Sequence, residues 1–152
     1  MKQFKYLSFA LLIALCTGFV SCSDDDDEEP AAPATSIIGT WEPVSDYSCE
    51  KINGQVAEEH SSLESLVILA FTEDGKCYWY DPDTRVLKKE CSYNYADGKL
   101  TVSAEDGSSE STASFPSSSE LVLESSASAE YNGYLIEIYA KSTYRKIEDF
   151  WK

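Results

Sequence analysis

The chain has 152 residues and a formal net charge of −15, with 27 Asp and Glu against 12 Lys and Arg. That balance argues against a nucleic-acid partner, which needs clustered Lys and Arg, and against docking on an anionic surface by charge. A single histidine and cysteines without a close second Cys or His give no zinc-like ligand spacing, so no metal site and no cofactor is expected.

In chain order, Lys2 and Lys5 precede an apolar run from Tyr6 to Val20 that ends in small residues. The run is about fifteen residues, short of the roughly 20 needed to cross a bilayer as a helix. The order of basic, apolar and small segments is that of a secretory signal, with a transmembrane anchor as the alternative. Cys22 follows Phe19-Val20-Ser21 directly, and this junction resembles a bacterial lipoprotein signal. The resemblance implies cleavage before Cys22 and acylation of that residue, so that several chains anchor the protein where one alone would hold it only marginally.

Next comes an acidic block, Ser23-Asp24-Asp25-Asp26-Asp27-Glu28-Glu29. Such a block reads as a solvated tether. Set after a lipidated cysteine, Ser23 to Asp27 is also similar to the export signal that sends Bacteroidetes lipoproteins to the outer face of the outer membrane, the periplasmic face being the alternative. Pro30 to Thr35 reads as a short semi-rigid spacer. The expected organisation is a signal peptide over 1–21, a lipidated acidic and Pro-Ala tether over 22–35, and one folded domain over 36–152.

That domain holds 117 residues, enough for one core and not two. Six of the acids lie in the tether and two of the bases in the signal, which leaves 21 acids against 10 bases in the domain. Self-repulsion and solubility account for that acidity.

From Gly39 onward, Asn53-Gly54, Asp74-Gly75, Asp97-Gly98, Asp106-Gly107 and Asn132-Gly133 are pairs suited to tight hairpins. Between them the sequence alternates. In Lys89 to Tyr95 the positions Cys91, Tyr93 and Tyr95 are apolar or aromatic and their neighbours polar. In Tyr134 to Tyr144 the positions Tyr134, Ile136, Ile138, Ala140 and Tyr144 alternate with polar residues. The pattern predicts eight antiparallel strands, near 40–47, 65–72, 76–80, 86–95, 99–103, 109–115, 120–124 and 134–146. Leu66 to Phe71 is apolar on both faces, which requires cover on both sides or a partial helix over 58–69 begun by the Ser61-x-x-Glu64 capping pattern. The stretch 48–63 is expected to lie as a flap over one end. The hairpin around Phe115-Pro116 is expected to be the least stable part.

Eight short strands in meander order avoid exposed edges most simply by closing into an up-and-down barrel, with a two-sheet sandwich as the other solution. Ile38-Gly39-Thr40-Trp41 opens the first strand and Thr143-Tyr144-Arg145-Lys146 closes the last. This resembles the lipocalin pattern, in which a Gly-x-Trp enters the first strand and an Arg from the last strand covers the indole. The resemblance implies a lipocalin-like barrel in which Gly39 and Trp41 mark the closed end and Arg145 stacks on Trp41.

Cys49, Cys77 and Cys91 remain in the domain, and sequence leaves three possible pairings open; Cys77 with Cys91 is favoured, on neighbouring strands. Tyr93, Tyr95, Tyr134, Ile136 and Ile138, with either Trp79 or the pair Tyr78 and Tyr80, are the candidates for the barrel lining. They either fill the core or form an open-end pocket for a small amphipathic or hydrophobic molecule. A filled barrel would instead be an interaction module for glycan or protein, working through 48–63 or through Phe150 and Trp151. Catalysis is not expected: His60 lacks a nucleophile turn and an orienting acid, no carboxylate pair stands out, and no phosphate loop is present. The sequence therefore reads as a surface lipoprotein held to the membrane by lipid and carrying a small β-barrel.

Overall fold

The computed structural model describes residues 36–64 and 66–150. Cys22, Ser23 to Asp27, the rest of the tether and Trp151 lie outside the described residues. Nine strands follow in order: β1 Gly39–Ile52, β2 Gln55–His60, β3 Ile68–Phe71, β4 Lys76–Tyr80, β5 Leu87–Ala96, β6 Lys99–Ala104, β7 Gly107–Ser117, β8 Glu120–Tyr131 and β9 Tyr134–Ile147. All pairings are antiparallel, in the order β2-β1-β3-β4-β5-β6-β7-β8-β9 with β1 also paired to β9. The domain is thus an eight-stranded closed β-barrel with one extra strand, β2, on the upper half of β1. No helix occurs among the described residues.

The turns follow their chemistry. Asn53-Gly54, Asp97-Gly98 and Asn132-Gly133 all have positive φ at both positions, between 51° and 80°. That is the two-residue turn whose twist matches the strands it joins. The expected flap over 48–63 is instead the β1–β2 hairpin, formed because Asn53-Gly54 turns the chain back on itself. Among the described residues of 58–69 no helix forms; 61–64 and 66–67 belong to a connection in which the Leu66 N–H bonds the Leu63 carbonyl. Pro116 is accommodated where the β7–β8 register shifts between Ser114 and Ser117, so it interrupts no ladder bond that β7 needs.

The core fills the closed end. Trp41, Phe71, Cys77 and Leu121 are fully buried, and Trp79, Tyr93, Tyr95 and Phe115 pack against them. The Trp41 indole N–H donates to the Ile37 carbonyl at 2.7 Å, so its one polar group is satisfied. Phe71 meets Tyr93 edge-on at 4.9 Å, and the Tyr93 hydroxyl donates to the Thr72 carbonyl.

The double-faced apolar run has cover on both sides. Leu69 and Phe71 face the barrel, while Ile68 and Ala70 pack outside with Tyr78 and Tyr80. The chain end covers that outer cluster: Thr40 Oγ1 donates to Asp149 at 2.6 Å, and Phe150 meets Tyr80 at 5.1 Å beneath the Arg85 guanidinium. Tyr78 and Tyr80 are therefore outside the barrel, and Trp79 takes the inward place, because Cys77 fixes the parity of β4. Phe150 rests against Tyr80 and Arg85 and stays exposed at 39%.

The closing plug differs from expectation by one residue. Arg145 points outward and pairs with Glu42 at 2.9 Å, as does Arg85, and the Arg145 bond is the main reason that the Glu42 carboxyl is held below its usual pKa. The neighbouring Lys146 takes the ring: its Nζ lies 5.2 Å from the Trp41 centroid and donates to the Ile38 carbonyl at 3.0 Å. Strand alternation is the cause, since Trp41 pairs with Lys146 and the inward-facing Tyr144 lies two residues before it. Lys146→Ala should therefore lower stability by about 1 kcal/mol. Arg145→Ala, which removes only an exposed ion pair, should stay within about 0.5 kcal/mol. Urea melts of the two variants check the assignment, and equal losses would overturn it.

Candidate functional site

A bulge in β1 sets the geometry of the site. Pairing with β9 shifts between Pro43 and Ser45, so one extra residue sits opposite β9 there. Below the shift, odd residues such as Trp41 face the barrel. Above it the phase reverses: Asp46 and Ser48 turn inward, and Tyr47, Cys49 and Lys51 turn outward. Asp46 then accepts from the Ser142 hydroxyl at 2.6 Å, tying β1 to β9 inside the barrel just above the core.

Above the core, β2, β1, β9 and β8 continue as a four-stranded ribbon, while β7 leaves β8 after Thr112 and Glu124. The outer face of this ribbon forms a groove of about 500 Å³, lined by Tyr47, Cys49, Lys51, Ser126, Glu137 and Tyr139, among others. A second hollow of about 310 Å³ lies at the fork between β7 and β8 and shares Ser126 and Tyr139 with the first. Both are outside the barrel.

The two tyrosines frame the groove. Their ring centroids are 6.3 Å apart at 56°, and each hydroxyl is fixed by a carboxylate: Tyr47 donates to Glu59 at 2.9 Å and Tyr139 to Glu124 at 2.8 Å. Those bonds to carboxylates raise the Tyr47 hydroxyl to about 12 and raise that of Tyr139 as well, so both stay protonated donors. With Lys51, Glu137 and the serines, the groove offers ring faces flanked by donors and acceptors. His60, the one histidine, is exposed on β2 beside Glu58, at 2.6 Å.

The residues expected to line the barrel divide. Tyr93 and Tyr95 pack against the core. Ile136 and Ile138 share the parity of Tyr144 but stand on the ribbon above the core, half-buried, and Ile138 borders the outer groove. Tyr134 is exposed beside the last hairpin turn. Cys77 and Cys91 are directly opposed on β4 and β5, the neighbouring strands expected for them; both are buried free thiols. Burial pushes the Cys77 thiol up to about 12 and raises Cys91 too, so neither is a ready nucleophile.

Sequence reading missed Tyr47 and Tyr139. Tyr139 had a signal, as the aromatic residue on the polar side of an alternating run. Tyr47 had none, because its face depends on a bulge. Comparison with protein-family models, curated proteins and solved structures gives no match, so the site rests on its own geometry.

Proposed function

We propose that this protein is a lipid-anchored outer-membrane lipoprotein facing the cell exterior, whose barrel is a binding module rather than a container. Cys22 would carry the lipid, and Ser23 to Asp27 would direct it outward. The ligand class that suits the outer groove is a polar, sugar-like molecule. Its C–H faces would rest on Tyr47 and Tyr139, and its hydroxyls would meet Lys51, Glu137, Ser126 and Ser128. The observation that carries this reading is the placement of the groove: side chains occupy the closed end of the barrel, while the 500 Å³ hollow lies outside it between two held tyrosines.

Titration of the full mature chain in detergent with a panel of mono- and oligosaccharides tests it, read by NMR shifts of groove residues. Millimolar or tighter binding that Tyr139→Ala abolishes, with folding retained, supports the reading; no shift with any saccharide overturns it. A second reading, a small amphipathic ligand inside the barrel, draws on one observation: the Trp79 indole N–H is buried without a hydrogen-bond partner. Quenching of tryptophan fluorescence by a lipid or aromatic probe would favour that reading instead.

A further inference from the structure

Two of the open edges of the sheet, those of β2 and of upper β8, differ in how well they are protected. The outer edge of β2 carries Glu58 and Glu59, and a bulge at Glu50/Lys51 disturbs its ladder with β1. Charges and bulges are devices that keep an edge from pairing with another chain. The upper half of β8 is less protected, with carboxylates only at its two ends, Glu124 and Glu130. Ser125-Ser126-Ala127-Ser128-Ala129 contains no lysine, proline or bulge, and its ladder with β9 is regular from Glu120 to Tyr131.

The groups offered by that edge follow from the ladder phase. Lys146 N–H bonds the Ser119 carbonyl, so odd β8 residues turn their backbone groups to β9. The alternate residues Ser126, Ser128 and Glu130 turn theirs away from β9. On the other side of the fork, Ala113 N–H bonds the Gly98 carbonyl, so Ser108 and Glu110 of β7 turn theirs toward β8. The register of Thr112 with Glu124 would continue as Glu110 with Ser126 and Ser108 with Ser128, yet β7 and β8 are not paired there. Two strand edges face each other across an open fork with the 310 Å³ hollow at its root.

The geometry points to this fork as a strand-addition site: an extended peptide pairs with the free edge of β8, placing alternate side chains inside and outside the barrel. The walls define its chemistry. Inward neighbours are Ser109, Ser111, Ser125 and Ala127, small residues that leave room for large apolar side chains above the core. Outward neighbours are the carboxylates Glu110, Glu124 and Glu130. Of the nearby cations, Lys141 lies 3.4 Å from Glu124, and Lys99 stands at the hollow. The fitting segment therefore alternates apolar and basic residues. The chain's own tether is excluded by charge, since Asp24 to Glu29 would meet these carboxylates, and a second copy would bring the same acids to the edge.

The test uses the full mature chain in detergent and two capped heptapeptides, alternating Val-Lys and alternating Val-Glu. Addition of the Val-Lys peptide is expected to slow amide exchange at Ser126, Ser128 and Glu130, while the Val-Glu peptide leaves it unchanged. Ser128→Pro removes one edge donor without touching the β9 ladder, and it should weaken binding roughly tenfold. If that variant fails to fold, the double variant Glu110→Lys, Glu130→Lys decides, because it should reverse the preference to Val-Glu. The proposal is overturned if neither peptide slows these amides, if both bind equally, or if sedimentation shows the edge occupied by a second copy. Ser126, Ser128 and Tyr139 border both sites, whereas Tyr47 borders the groove alone, so Tyr47→Ala tells the readings apart: it should weaken saccharide binding and leave the peptide's effect on the edge amides unchanged.

Discussion

Trp41→Ala is expected to remove about 3–5 kcal/mol of stability. Trp41 is the largest fully buried side chain among the described residues. Its ring closes the barrel against Phe115 at 5.9 Å, and its N–H holds the Ile37 carbonyl at the entry to β1. Truncation leaves a cavity under Lys146 and frees a buried carbonyl at once. Since domains of this kind are stable by only about 5–15 kcal/mol, the variant should sit near its unfolding threshold at 37 °C. Urea unfolding of the wild-type and variant chains checks it, and a loss under about 1 kcal/mol would show that the ring is not the keystone of the closed end.

Gly39→Ala should also be costly, for two reasons that can be separated. Gly39 has φ +128°, a conformation that L side chains rarely adopt, and forcing one there costs about 1–3 kcal/mol. A Cβ would also stand 2.8 Å from Lys146 Cε, displacing the stem that carries the ammonium over Trp41. The lysine is flexible and can move aside, so the backbone is expected to account for most of the loss. Combining Gly39→Ala with Lys146→Ala separates the two: if the backbone dominates, most of the Gly39 penalty persists when the lysine stem is gone. Disappearance of the penalty in the double variant would assign it to the clash.

The two variants bear on the same motif and explain why it was legible. Gly39-Thr40-Trp41 has one backbone requirement and one large ring, both local, and the barrel closes where they stand. Hairpins were equally readable, because Asn53-Gly54, Asp97-Gly98 and Asn132-Gly133 require positive φ before any tertiary contact exists. Period-two alternation then placed Tyr93, Tyr95 and Tyr144 on the core side. The lysine over Trp41 was misjudged by one position. Arg is the better stacking group, but alternation from the inward Tyr144 points to residue 146, and the register of β1 with β9 sets it opposite Trp41.

By itself the sequence determined an all-β barrel, its turns and its closed end, because turn chemistry and alternation act over a few neighbouring residues. The tertiary structure alone decided the face that Tyr47 takes above the core. A single bulge between Pro43 and Ser45 reverses β1, moves Tyr47 outside, and with Tyr139 makes a groove that alternation could not reveal. The fork beside β8 has the same origin. Strand length is local, but where two strands part is set by the curvature of the whole ribbon and the partners it keeps on its other side.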